Sequence, residues 1–318
     1  MAFAFVFPGQ GSQSVGMLAP LAAGEPLVQK TFAEASGVLG YDLWKLVNDG
    51  PEEALNATER TQPAMLAAGV ATWRAWRAAG GGLPDRLSGH SLGEFTALTC
   101  ADALDFSAAI DLVRFRGQVM QEAVPVGQGA MAAILGLDDE VVEALCREVS
   151  AAGGIAEAAN FNSPGQVVIA GDAAAVARAI EAAKARGAKR AVMLPVSVPS
   201  HTTLMRGAAE RFKERLRGVG LRAPRIPYVS AVDASVHDSP DDIRELLVRQ
   251  LSSPVRWSAT LRALSAPPIA QVIECGPGRV LTGLNRRIER RAGLEFLSLE
   301  DPAGVAAALT ATRGDAHA

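Results

Sequence analysis

Between Gly129 and Val196 the chain changes its rhythm, and that change limits the fold more than any other feature. A short apolar run (130–135) leads to an amphipathic segment beginning near Asp138. A second run (155–161) then turns at Asn162-Ser163-Pro164-Gly165 into a third (166–170). An Ala-rich periodic segment (173–186) and a last run (190–196) complete the stretch. Apolar alternation, helical periodicity and turn residues together give the order β-α-β-β-α-β in about 70 residues. Such a unit closes its own small antiparallel sheet under two helices, so it interrupts whatever surrounds it.

The surroundings are α/β in character, and the interrupting order is that of a ferredoxin-like split unit. Residues 3–7 form a buried strand stopped by Pro8 and the Gly-rich turn through Gln13. Helical periodicity runs through 26–39 and 61–79, and Gly80-Gly81-Gly82-Leu83-Pro84 ends the second segment. A short strand at 86–89, a helix from about Ser91 and another over 106–124 follow. Beyond the insert come a helix from Thr202 and strands near 228–231 and 271–274. The turn Gly276-Pro277-Gly278 then enters a final helix, and an Ala-rich tail from Asp301 is expected to fray. The expected architecture is a discontinuous α/β domain (1–127 and 197–318) with a ferredoxin-like α+β subdomain (128–196) inserted.

A chain of 318 residues fits one large domain plus a smaller one. Hydrophobic residues make up 49% but aromatics only 5%, so Ala, Leu and Val fill the core. With 31 basic and 34 acidic residues the net charge is −3, which gives no whole-chain case for binding nucleic acid or membrane. Residues 2–7 are apolar but lack a basic flank and are too short for a signal core. Cys100, Cys146 and Cys275 have no metal-like spacing and leave an odd thiol, which suits a reducing cytoplasm. A monomer is expected from the size.

Gly89-His90-Ser91-Leu92-Gly93 has the form G-x-S-x-G, a strand-to-helix turn that lifts a serine hydroxyl out of the backbone. That turn points to a hydrolase-like α/β core. An ordinary capped helix start at Ser91 is the alternative reading of the same residues. A nucleophilic serine needs a base, and the chain holds four histidines. His90 adjoins the serine and should diverge from it, His317 is penultimate, and His237 lies in the polar segment 235–242, read as an exposed turn. His201 remains as the candidate base. An oxyanion hole would use the N–H of Leu92, after the nucleophile, with a second donor from the turn Gly9-Gln10-Gly11. No Lys-Ser/Thr follows that turn, so it is not a phosphate loop.

Five stretches together resemble the malonyl-CoA:acyl carrier protein transacylase family. They are Phe5-Val6-Phe7-Pro8-Gly9-Gln10-Gly11-Ser12-Gln13, Gly89-His90-Ser91-Leu92-Gly93-Glu94, Asn160-Phe161-Asn162-Ser163-Pro164-Gly165-Gln166, Pro195-Val196-Ser197-Val198-Pro199-Ser200-His201 and Glu274-Cys275-Gly276-Pro277-Gly278. The resemblance covers nearly the whole chain in family order. It implies that Ser91 is acylated by malonyl-CoA, with His201 as base, and that the acyl group passes to the pantetheine thiol of acyl carrier protein. It also implies that the carbonyl of Gln250 supports His201, that the N–H groups of Gln10 and Leu92 form the oxyanion hole, and that Arg116 binds the malonyl carboxylate. A guanidinium suits that last task, since it offers parallel donors and keeps its charge when desolvated. Met120, one turn along the same helix face, and Asn162 are further candidates for lining the pocket. The implied ping-pong reaction in fatty-acid biosynthesis needs no cofactor.

Coenzyme A carries phosphates and carrier proteins are acidic, so local basic surface is expected. Lys189 and Arg190 with the neighbouring Gln166 form one candidate; Arg286, Arg287, Arg290 and Arg291, placed on the last long helix, form another. A serine hydrolase using Asp102, Asp105, Asp111 or Asp138 as third member is the rival reading. A noncatalytic carrier-binding module is the second rival.

Overall fold

Ten strands are found among the described residues, 1–196 and 198–313, of the computed structural model. They are β1 (Phe3–Phe7), β2 (Arg86–Gly89), β3 (Gly129–Leu135), β4 (Ala156–Ser163), β5 (Gln166–Asp172), β6 (Arg190–Met193), β7 (Tyr228–Val229), β8 (Val236–His237), β9 (Gln271–Glu274) and β10 (Glu295–Ser298). Six of them form one sheet in the order β10-β9-β1-β2-β7-β8. Neighbours run parallel, except that the short β8 opposes β7.

The composition of β1 explains the layers around it. All five residues are buried, but alternate ones enter different cores. Phe3, Phe5 and Phe7 pack into a large cluster with Trp76 and Phe95, whereas Ala4 and Val6 join Val229, Trp257 and Leu261. A parallel strand buried on both faces requires helices above and below it. The register also sets where chemistry can occur. Phe7 lies opposite Gly89 and Val6 opposite Glu274. The turns after β1, β2 and β9 therefore leave together from one carboxyl edge, where ligands of open α/β sheets bind.

The other four strands form an antiparallel sheet in the order β4-β5-β3-β6. Helices Asp139–Ala151 and Ala173–Ala185 bury one face of it around Val142, Leu145, Ile169 and Val176. The fold is thus α/β, a hydrolase-like core carrying a ferredoxin-like unit. The small sheet is fastened to the core along its edge strand. Phe161 N–H donates to Val255 O and Val255 N–H to Ala159 O, each at 2.9 Å. Glu157 of β4 accepts from Thr203 N at 2.7 Å and Thr203 Oγ1 at 2.8 Å, two residues past His201.

Several boundaries differ from the sequence reading. The helix expected from Ser91 begins at Gly93, because Ser91 has φ 52° and cannot join it. β6 ends at Met193, and Leu194 makes a last ladder bond to Met131 O at 2.9 Å before the chain leaves the sheet. The segment 235–242 is not a simple exposed turn, since it holds β8 and opens helix Pro240–Arg249. Helix Val280–Ile288 is not the last one: β10 and helix Pro302–Arg313 follow it. Arg290 and Arg291 consequently lie beyond its end, and the expected frayed tail is helical as far as Arg313. His317 and Ser197 lie outside the described residues.

Candidate active site

Steric necessity at the end of β2 raises Ser91. A Cβ on Gly89 would stand 1.9 Å from the Gly93 carbonyl carbon, and one on Gly93 would stand 2.0 Å from Phe7 O. Only glycine at both positions lets the turn press against its own helix and against β1. Ser91 is thereby held at positive φ, a strained state typical of a nucleophile elbow.

His201 also has positive φ, 65°, and its own N–H is fixed to Leu251 O at 3.0 Å. Its Nδ1–H donates to Gln250 O at 2.8 Å, which leaves Nε2 as acceptor for the Ser91 hydroxyl, also at 2.8 Å. A carbonyl accepts only, so the tautomer is dictated by the backbone. Burial pushes the His201 pKa down to about 3, and the Arg116 charge adds to the effect. The imidazole is therefore neutral at physiological pH and able to take a proton.

Arg116 is 1% exposed yet carries a full charge. Burial lowers its pKa to about 10, partly opposed by Glu94. Nη1 donates to Gln62 Oε1 at 2.8 Å; Nη2 donates to Gln250 Oε1 at 2.8 Å and to Ser91 Oγ at 3.2 Å. Nε has no partner, and Cζ lies 5.5 Å from the Phe95 ring centre. A guanidinium has five N–H bonds, so Nε and one N–H of Nη1 stay uncommitted while Nη2 reaches the nucleophile. Ser91, His201, Gln250 and Arg116 thus form one contiguous cluster.

The remaining candidates surround this cluster at different depths. Neither the Gln10 nor the Leu92 N–H donates to another group among the described residues, and both stand at the carboxyl edge beside Ser91. Asn162 falls at a register irregularity of β4, and its Oδ1 meets His90 Nε2 at 2.9 Å. A bulge there re-aims the side chain out of the ladder. Met120 is one layer back, where its Sδ accepts from Gln62 Nε2 at 3.5 Å. Gln166 and the exposed Arg190 stand apart, at the rim of the small sheet. There Leu135 pairs with both, and Gln166 Oε1 accepts from Arg287 Nη1 at 2.7 Å. The two basic clusters read separately from the sequence are therefore bridged at one edge. Arg286 and Arg291 spend donors on the carbonyls of Phe296 and Ile269.

Sequence reading missed Gln62 and Glu94 as parts of the site. Gln62 sits in an Ala-rich helical stretch, and Glu94 follows the elbow on helix Gly93–Cys100. Both are 1% exposed. The available signal was a long polar residue inside an otherwise apolar periodic segment.

Among the described residues no acid completes a triad with His201, whose Nδ1 meets Gln250 O. Asp102 pairs with Arg225, Asp111 with Arg114 and Arg215, Asp105 caps helix Phe106–Glu122, and Asp138 precedes helix Asp139–Ala151. His237 pairs with Asp233 at 3.0 Å and is half-buried. Among the described residues no group of three His, Cys, Asp or Glu could hold a metal ion, and no helix is long and apolar enough to cross a membrane. Surface grooves of about 630 and 700 Å³ lie elsewhere, one beside Tyr41 and Trp44, the other between helices Arg206–Arg217 and Pro240–Arg249.

Known proteins are similar to this chain in sequence and in fold. A family model described as an acyl transferase domain matches residues 4–292. The malonyl CoA-acyl carrier protein transacylase of Salmonella typhimurium is 53% identical over 308 residues, covering 97% of this chain and 99% of that protein. The acyl carrier protein S-malonyltransferase of Vibrio cholerae is similar in structure, with TM-score 0.92 and 53% identity over 96% of this chain and 99% of that one. A malonyl-transacylase solved in complex with a type II PKS acyl-carrier protein gives TM-score 0.95 and 54% identity, covering 98% of this chain and 100% of the other.

Proposed function

The chain belongs to the malonyl CoA-acyl carrier protein transacylase family of acyl transferases, and from that membership we propose that it moves malonyl from coenzyme A through Ser91 to an acyl carrier protein in fatty-acid biosynthesis. The observation that carries this reading is the buried Arg116 guanidinium, 3.2 Å from Ser91 Oγ. A positive charge beside a nucleophile suits an acyl group that bears its own carboxylate.

The malonyl carboxylate docks on Arg116 and places the thioester carbonyl beside Ser91. His201 Nε2 takes the hydroxyl proton as Oγ attacks, and the oxyanion is held by the N–H groups of Gln10 and Leu92. Collapse breaks the carbon–sulfur bond, and His201 returns the proton to the departing coenzyme A thiol. In the second half-reaction His201 accepts the proton of the carrier's pantetheine thiol. The thiolate sulfur attacks malonyl-Ser91, and the proton goes back to Oγ. Residues 1–127 and 197–318 form the catalytic unit in this reading, and 128–196 supply one wall of the cleft through Asn162. The basic rim of Lys189, Arg190 and Arg287 meets the phosphates of coenzyme A and the acidic surface of the carrier. The reaction needs no cofactor. One monomer holds the whole site, and three buried free thiols suit a cytoplasmic enzyme.

Intact-protein mass spectrometry after incubation with malonyl-CoA tests the reading. The expected result is one malonyl adduct, mapped to Ser91 and absent from Ser91→Ala, which discharges onto added carrier faster than onto water. An adduct on a cysteine, or discharge to water as fast as to carrier, would overturn it.

A further inference from the structure

Glu94 is a buried acid that the reaction just described does not use. It sits in the first turn of helix Gly93–Cys100, 1% exposed, directly beneath the nucleophile turn. Its Oε1 accepts from Tyr228 Oη at 2.5 Å, Ala231 N at 2.6 Å and Ser230 Oγ at 3.1 Å, and its Oε2 accepts from Gln250 Nε2. Each carboxylate oxygen thus faces a nitrogen donor that cannot accept. Burial raises the Glu94 pKa and these four donors lower it, so the hydrogen bonds are what offset the cost of a carboxylate here.

The Gln250 side chain suggests what this carboxylate does. Its Nε2 donates to Glu94 and, at 3.0 Å, to Ser91 O, so its Oε1 is turned to Arg116 Nη2. An amide has one accepting and one donating end, and the acceptor-only carboxylate decides which end meets the guanidinium. We propose that Glu94 is a specificity-determining positioning residue, which orients Arg116 toward the acyl carboxylate through the side-chain amide of Gln250. The proposal rests on the reading of Arg116 as the carboxylate's partner.

The spacing matters as much as the charge. A carboxylate bonded directly to Arg116 would neutralise it and compete with the substrate's own carboxylate. Set one amide away, Glu94 supports the buried cation while leaving Nε and part of Nη1 uncommitted. Were the amide reversed, its NH₂ would face the guanidinium donor to donor, and Arg116 would be driven from its place beside Ser91.

The test compares Ser91 loading by malonyl-CoA and by acetyl-CoA in Glu94→Gln, Gln250→Met and Arg116→Ala, with thermal melts alongside. Glutamine at 94 keeps the size and one acceptor oxygen, but it offers an NH₂ to Gln250 and forces the amide to turn. Gln250→Met removes the bridge while keeping the backbone carbonyl that holds His201, and it serves as the test if Glu94→Gln does not fold. The malonyl-to-acetyl ratio of kcat/KM should fall about tenfold or more in both variants, mainly through the KM for malonyl-CoA. Equal losses for the two substrates would show a merely structural role and overturn the proposal. If Arg116→Ala lowers the ratio while the other two leave it unchanged, Glu94 is not the determinant although Arg116 is. A ratio unchanged in Arg116→Ala as well would overturn both readings.

Discussion

Replacing Arg116 by methionine should raise the pKa of His201, by an amount that two contacts determine. Nη2 of Arg116 is 3.2 Å from Ser91 Oγ, which is 2.8 Å from His201 Nε2. The guanidinium charge therefore lies within about 6 Å of the imidazole. At an effective dielectric constant of about 20, two unit charges at that distance repel by about 2.8 kcal/mol, or about two pH units. Methionine fills similar space without charge, so the burial that is the larger cause of the low His201 pKa of about 3 persists. The variant's His201 should titrate near about pH 5. Nitrogen-15 histidine NMR, assigned with His201→Gln, can follow it from about pH 4.5 to 7.5. In the wild type the His201 signals should stay those of the neutral Nδ1–H tautomer throughout that range, whereas the variant should show an inflection. An unchanged titration in the variant, or a wild-type inflection near the ordinary histidine value, would refute the electrostatic argument. A docked malonyl carboxylate should act in the same direction, strengthening the base only when the substrate with the right charge is bound.

Stability should report the same buried imidazole with a definite sign. His201 is depressed below the ordinary value of about 6.5, so its contribution is complete above that pH and is lost as pH falls, by about 1.4 kcal/mol at pH 5.5. Glu274, raised to about 7, acts oppositely in that window, so the informative quantity is the wild-type minus His201→Gln difference in urea unfolding at each pH. A difference that does not shrink on acidification would contradict the assignment. Gly93→Ala should cost at least about 2 kcal/mol and most malonyl loading, because the new methyl would meet Phe7 O at 2.0 Å; a urea midpoint near wild type would show that the elbow can relax. Lys189→Glu with Arg287→Glu should cut kcat/KM for carrier about tenfold or more and weaken its salt dependence. A change under about twofold would place docking on other surface.

The parts of the fold legible in the sequence were those whose signal is local. β1 is a run of five apolar residues before a Pro-Gly turn, and β2, β9 and helix Pro26–Leu39 fall at their expected bounds. The β-α-β-β-α-β order was visible because turn residues separate every element. What escaped depends on contacts far along the chain. β8 has two residues and exists only through β7, while helix Trp257–Leu264 carries Trp257 into a core built on β1 and β9. The site divides similarly. Ser91 announces itself by two glycines, and His201 by elimination among four histidines. The Gln62–Arg116–Gln250–Glu94 network joins residues up to 188 positions apart. Gln62 and Glu94 look like stray polar residues until the chain is folded, and Arg116 and Gln250 were marked only by the family resemblance.

The carbonyl behind His201 has a consequence for how the acyl-enzyme survives. With Gln250 O at 2.8 Å in place of a carboxylate, and with a guanidinium nearby, the imidazole is a weak base. A pantetheine thiol, with an acidity of about 8.5, asks little of such a base. Water is a far weaker acid and, unlike the Ser91 hydroxyl held 2.8 Å from His201 Nε2, has no fixed place on that base. In the proposed reaction malonyl-Ser91 should therefore outlast its contact with solvent, with the choice between transfer and hydrolysis set by the acidity and placement of the acceptor.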